Sequence, residues 1–291
     1  MLSQDYVFPR TVESALALLK EYGGKAIIIA GGTDLVLLEA RKKETSAVLV
    51  DISHIPDLCG IREEEGWIVL GANVTHSEAA FSPLIRQKAL ALAIASGKVG
   101  GRQIRNIATV AGNIVAGHPA GDAAVALTAL GATCVIRSPD GARRELGMPE
   151  MYAGLHVSAV DCHAELLTHI RIPAQGPGEG SSYQRMEQRK ALSLPMLCVG
   201  ARVAMNGKKI KSARIAIAPV GPRPQRATEA EDFLAGKTAS PNVFAKAAAL
   251  ADKHAAFRTS AVRGSSEFRH AVLPVFVVRA LEEAVARAAG A

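Results

Sequence analysis

Two stretches, Ile28-Ile29-Ala30-Gly31-Gly32-Thr33-Asp34-Leu35 and Thr109-Val110-Ala111-Gly112-Asn113-Ile114, decide how this chain is read. Each joins glycine to a hydroxyl or amide side chain. The first follows an apolar, β-branched run and the second an Arg-rich one, with Gly121-Asp122 just beyond. Glycine has no Cβ and tolerates positive φ, so such loops can bring bare backbone N–H groups up to a phosphate. Two of them together predict a clamp on a pyrophosphate.

Working outward, Thr11 is placed to cap a helix whose apolar positions Val12, Ala15, Leu16 and Leu19 share a face. Residues 26–30 read as a buried strand, giving the order strand, glycine loop, helix. Further strands are expected at 47–52, in a hairpin over 61–70 and in a hairpin over 132–146, with another at 166–173. Thr75 and Glu78 have capping-box spacing. A single helix is expected over 83–96, stopped by Gly97, and Asp122 stands where it would cap an apolar helix over 123–130. The Gly/Pro/Ser-rich run at 173–182 is the best linker in the chain. Beyond it, Asn206-Gly207 marks a hairpin between 196–205 and 209–219, followed by helices near 227–234, 241–255 and 267–288.

Composition narrows the function. A chain of 291 residues with 49% apolar and 21% charged residues can bury a large core and exceeds the usual single-domain size. Its net charge of +7 is scattered and aromatics are only 4%, so no nucleic-acid partner is expected. No segment approaches 18 uncharged apolar residues and the N-terminus lacks a signal-peptide pattern, which predicts a cytoplasmic protein without a membrane span. Cys59, Cys134, Cys162 and Cys198 form no CxxC and no Cys/His pair at metal-ligand spacing, so buried free thiols and no metal are expected. There is no GxxxxGK[ST], no GxGxxG opening a βαβ unit and no GxSxG, which removes P-loop, Rossmann and hydrolase readings.

The two loops match something else. Ala30-Gly31-Gly32-Thr33-Asp34-Leu35, the segment Gln103-Ile104-Arg105-Asn106-Ile107-Ala108-Thr109-Val110-Ala111-Gly112-Asn113-Ile114 and Gly121-Asp122 resemble the FAD-binding subunit of the molybdenum hydroxylases, the xanthine dehydrogenase family. The likeness continues through Arg189-Lys190-Ala191-Leu192, Gly221-Pro222-Arg223-Pro224 and Arg263-Gly264-Ser265-Ser266-Glu267-Phe268-Arg269. It spans almost the whole chain, with its motifs in family order.

That resemblance implies an α+β protein: a PCMH-type FAD-binding fold of two α/β subdomains, at 1–57 and 58–175, and a C-terminal α+β domain at 176–291 like that of carbon monoxide dehydrogenase flavoproteins. It implies FAD as cofactor, electron transfer from iron–sulfur clusters through the flavin to NAD or another acceptor, and partnership with a molybdopterin-binding large subunit and a [2Fe-2S] small subunit in a dimer of heterotrimers. Residue by residue, Ala30, Gly31, Gly32, Thr33 and Asp34 correspond to the first pyrophosphate loop, with Ile28 and Leu35 beside the cofactor. Thr109, Gly112 and Asn113 correspond to the second, Val115 to an apolar contact, Asp122 to an acid near the ribityl chain and flavin, and Arg185 to a basic residue near the isoalloxazine ring. No residue is implied as catalytic. Three positions depart from the pattern: Ala111 replaces the commonest glycine and requires negative φ, while Ser193 and Val99 replace an acid and an aromatic ring, which leaves the electron acceptor open. A self-contained FAD oxidoreductase and a non-enzymatic nucleotide-binding module are the alternatives. His118 reads as a loop residue over the cofactor or facing solvent.

Overall fold

A computed structural model describes residues 5–41, 46–190, 192–261 and 264–290. Ala191 and Arg263, which belong to two of the family-like motifs, lie outside the described residues. The chain begins with β1 (Asp5–Val7), α1 (Val12–Tyr22), β2 (Ala26–Ile29), α2 (Leu35–Ala40) and β3 (Val48–Asp51), and the strands form a parallel sheet in the order β1-β3-β2. Helix α1 starts where Thr11 and Ser14 cap each other reciprocally, buries Val12, Ala15, Leu16 and Leu19, and ends at Gly23 in the left-handed region. Strand β2 therefore delivers the chain directly to Gly31-Gly32.

The next unit runs β4 (Ile61–Glu64), β5 (Trp67–Gly71), α3 (His76–Phe81), α4 (Pro83–Lys88), α5 (Leu90–Lys98), α6 (Arg102–Arg105), α7 (Val110–Val115), α8 (Asp122–Leu130), β6 (Thr133–Arg137), β7 (Arg143–Gly147), β8 (Tyr152–Gly154), β9 (Val157–Ser158) and β10 (Leu166–Pro173). Among the described residues its main sheet is antiparallel, ordered β4-β5-β10-β6-β7. The C-terminal part pairs β11 (Glu179–Met186), β12 (Leu197–Asn206), β13 (Lys209–Ala218) and β14 (Gln225–Arg226) in sequence order, covered by α9 (Thr228–Leu234), α10 (Pro241–Lys253) and α11 (Ser266–Ala288). The fold is α+β throughout, with one core joining the first two units and a second between the last sheet and its helices. All nine residues of α8 are buried, and this helix packs on the C-terminal strands β12 and β13 as well as on α5.

Several local expectations are corrected. The helix expected over 83–96 is two helices broken at Ala89, because the Gln175 N–H takes the Lys88 carbonyl (3.0 Å) and the Ala91 N–H turns to Ser181 Oγ (3.2 Å). Gly97 lies inside α5, which continues to Lys98. Gly121, not Asp122, is the cap of α8; Asp122 is its first helical residue. Only part of 173–182 links anything, since residues from Glu179 onward are strand β11. Its small residues serve packing: a Cβ on Gly180 would overlap the Ala284 carbonyl oxygen of α11, and Ser182 Oγ donates to Ala280 O (2.6 Å). Cys134 and Cys198 are buried free thiols, but Cys59 is exposed and Cys162 half-buried; Cys59 follows the turn that buries its neighbour Leu58.

Candidate functional site

Strand β2 ends in Ala30, and Gly31-Gly32 turn the chain into α2. Gly32 has φ 66°, a conformation that side-chain-bearing residues rarely adopt, and the Asp34 and Gly32 carbonyls accept the first helical N–H groups, those of Leu38 and Val36 (3.1 and 3.0 Å). The N–H groups of residues 31–34 donate to no acceptor among the described residues, which leaves four backbone donors on one short turn. Partial burial raises the Asp34 carboxyl above the usual aspartate range.

The second segment is not a loop. Thr109 caps α7, its Oγ1 accepting the Gly112 N–H at 2.9 Å, and Ala111 is helical, which satisfies the negative φ its side chain requires. The segment is pinned to the entrance of α3 by a short antiparallel bridge: the Val110 N–H donates to Val74 O (2.9 Å) and the His76 N–H to Ala108 O (3.0 Å). Because Thr109 already holds the Gly112 N–H, this half of the site offers side chains more than backbone: the Thr109 hydroxyl and the Asn113 amide. Asn113 Oδ1 is buried with no hydrogen-bond partner among the described residues, a position that a donor on a ligand would fill.

The two segments meet. A Cβ on Gly31 would overlap the Ile107 carbonyl oxygen and lie 3.1 Å from Ala108 Cα, so the missing side chain at 31 is what lets the first turn pack against the residues leading into Thr109. Around this contact lies a mainly apolar cavity of about 380 Å³. Ile28, Ala30, Gly31, Gly32, Thr33, Asp34, Leu35, Thr109, Gly112, Asn113 and Val115 all line it, so eleven of the thirteen residues expected from sequence are brought together. Val99 and Ile104 also line the cavity, as do Cys162, Leu166 and Leu167. A more open pocket of about 650 Å³, lined by Ser53, Asn73, Thr75, Ser77 and Asn106 among others, shares the wall formed by Ala30, Gly31 and Thr109.

The two remaining residues, Asp122 and Arg185, are not among those lining the cavity; they form an ion pair (3.1 Å) in which only 3% of the Arg185 side chain is exposed. Arg185 also donates to Lys98 O (3.0 Å) and Ser193 O and pairs with Glu187 (2.8 Å), while Tyr183 donates its hydroxyl to Asp122 Oδ1 (2.6 Å). These partners turn the Asp122 carboxylate toward β11. Burial raises its pKa to about 6, against the opposing pull of Arg185 and Tyr183. Its neighbour Gly121 adjoins the site: a Cβ there would lie 3.1 Å from Asn113 Oδ1. His118 is a loop residue whose Nδ1 accepts the Ala120 N–H (3.1 Å) and whose ring meets His156 edge-on. Among the cavity residues that escaped the sequence reading, His76 is the titratable one buried without a hydrogen-bond partner among the described residues. It is fully buried, yet in the sequence it is merely the residue that follows a capping threonine.

Free N–H donors, two threonine hydroxyls, a buried acceptor and apolar walls are a donor set suited to a nucleotide diphosphate with a flat ring attached. Comparison with known proteins agrees. Residues 2–175 match the family model described as the FAD binding domain in molybdopterin dehydrogenase, and residues 181–284 match the CO dehydrogenase flavoprotein C-terminal domain. The chain belongs to the FAD-binding medium subunits of the molybdenum hydroxylase family. It is 34% identical to the carbon monoxide dehydrogenase medium chain of Afipia carboxidovorans, over 98% of both chains. It is 31% identical to the 6-hydroxypseudooxynicotine dehydrogenase complex subunit alpha of Paenarthrobacter nicotinovorans, over 98% of this chain and 96% of that one. A solved carbon monoxide dehydrogenase from Hydrogenophaga pseudoflava, lacking the Mo-pyranopterin moiety of its cofactor, superposes with TM-score 0.90 at 29% identity and 98% coverage of each chain. Members of this group are FAD-dependent oxidoreductase subunits that work in multi-subunit assemblies, and the cofactor of this chain is FAD. No helix among the described residues is long and apolar enough to cross a membrane.

Proposed function

We propose that this chain is the electron outlet of a molybdenum hydroxylase, holding FAD between its two glycine segments. Bound FAD supplies two-electron storage, taking electrons from iron–sulfur clusters and giving them to NAD or another acceptor. The chain's own residues bind and orient. The N–H groups of residues 31–34 with the hydroxyls of Thr33 and Thr109 and the amide of Asn113 hold the diphosphate, a cradle that needs no lysine. Ile28, Ala30, Leu35, Gly112 and Val115 shape the walls that exclude water, and Asp34 stands on the same turn with its carboxyl pKa raised by partial burial. Asp122 and Arg185 support the site by tying the ends of α5 and α8 to β11.

The observation that carries this reading is the convergence of two sequence-distant segments on one cavity, with Gly31 fitted against Ile107. The reading extends to a molybdopterin-binding large subunit and a [2Fe-2S] small subunit as partners, a cytoplasmic dimer of heterotrimers, and a division of the chain at 1–57, 58–175 and 176–291. Denaturing the purified protein is expected to release FAD in a one-to-one ratio, and co-expression with the two partners to give a complex whose flavin is reduced by the organic substrate. A colourless protein that cannot be reconstituted with FAD refutes the proposal. Turnover of an organic substrate by the isolated chain would instead make it a self-contained oxidoreductase.

A further inference from the structure

The cavity wall includes a polar side chain that the fold leaves unsatisfied at both ends. His76 opens α3, and its backbone N–H is fixed to Ala108 O, which places it beside the Thr109 cap. Its ring is fully buried, and neither Nδ1 nor Nε2 has a hydrogen-bond partner among the described residues. Leaving two such nitrogens unpaired is unfavourable, and buried polar groups ordinarily find partners. His76 is among the residues around the cavity, which is the route by which a partner carried on a ligand would arrive. Both nitrogens are shielded from the cavity as well as from solvent, so pairing with a ligand there requires the ring to turn about its last side-chain torsion, which is soft.

The chemistry of the ring selects the partner. Burial, reinforced by Arg105, lowers the His76 pKa to about 4, so the imidazole is neutral under ordinary conditions. A neutral imidazole carries one N–H donor and one lone-pair acceptor, and a phosphate oxygen satisfies only the first. A hydroxyl both donates and accepts, and FAD bears hydroxyls on each side of its diphosphate, in the adenosine ribose and in the ribityl chain. Asn113 Oδ1, unpartnered on the same cavity, calls for a donor of the same kind.

We infer that His76 is a cofactor-contacting residue that hydrogen-bonds a sugar or polyol hydroxyl of FAD next to the diphosphate. The inference rests on the FAD reading of the site, and its test separates the two. FAD, FMN and ADP are titrated calorimetrically into the flavin-free wild-type protein and into His76→Leu and His76→Gln. A wild type that binds no FAD defeats the underlying reading and this inference with it. With FAD bound one-to-one by the wild type, His76→Leu is expected to raise its Kd about tenfold. His76→Gln, which can still donate and accept, is expected to recover most of that loss. The flavin-free Leu variant is expected to melt no lower than wild type, because it removes two orphaned nitrogens. A parallel loss of FMN affinity assigns the hydroxyl to the ribityl chain, and a parallel loss of ADP affinity assigns it to the ribose. An FAD Kd unchanged by His76→Leu overturns the inference and leaves the FAD site standing. Should the Leu variant not fold, the imidazole nitrogen NMR shifts of His76 in the wild type decide: displacement on adding FAD supports the contact and unchanged shifts overturn it.

Discussion

At Gly31 the reason for the glycine differs from the one its sequence suggests. A glycine beside a phosphate site reads as a donor of backbone N–H groups, and the free N–H groups are present, but the absent side chain at 31 is required by protein on protein: its Cβ would overlap the Ile107 carbonyl. Gly31→Ala is therefore expected to cost about 3 kcal/mol of stability and to abolish FAD retention together. Gly32→Ala, strained by its φ of 66°, is expected to cost about 1–2 kcal/mol. Urea denaturation and flavin absorbance check both, and a Gly31→Ala protein as stable and as yellow as wild type would contradict the close contact. Asp122 gives a pH prediction. Its folded-state pKa of about 6 exceeds the unfolded value near 3.8, so between those values the folded chain keeps a proton that the unfolded chain releases, and its contribution to stability falls as pH rises through that window. Asp122→Asn removes this dependence, so the melting temperature of the variant relative to wild type should climb from pH 4 to pH 7. A relative change of the opposite sign would show that Arg185, not burial, governs the carboxylate.

At the scale of elements, helix starts with local chemistry were legible and breaks imposed from a distance were not. The capping residues Thr11 and Thr75 mark α1 and α3 in the sequence as they do in the fold, because a cap is satisfied within four residues. Thr75→Ala is accordingly expected to cost about 1 kcal/mol, measurable by chemical denaturation. The break at Ala89 depends on Gln175 and Ser181, some ninety residues on, and nothing near Ala89 announces it. Strand β11 was hidden by the same long-range logic. Its start, Glu179-Gly180-Ser181-Ser182, has the composition of a linker in part because α11 lies against Gly180 and Ser182, leaving room there only for small residues. Gly180→Ala is expected to force β11 and α11 apart and lower stability by about 2 kcal/mol, with flavin content preserved in whatever protein remains folded. Unchanged stability would mean that α11 is free to move off the strand.

For the whole molecule, the family-like motifs in order along the chain made the architecture and the cofactor readable, since the contacts to a diphosphate recur wherever that group is bound. The pairing of Asp122 with Arg185, and the presence of His76 at the cavity, depend on side-chain directions that spacing does not encode. The same holds for α8, whose continuous apolar sequence reads as a helix of one domain but whose nine residues are buried because the C-terminal strands β12 and β13 cover it too. A fragment of residues 1–175 is thus expected to aggregate or to bind a hydrophobic dye, whereas a fragment that stays monomeric and binds no dye would show that the first core closes without the second. A crystal structure of the chain with FAD shows at once whether two segments some eighty residues apart grip one diphosphate. The diphosphate is expected against the N–H groups of residues 31–34, within reach of Thr109 and Asn113; a diphosphate bound anywhere else on the chain means that the two segments do not form its site.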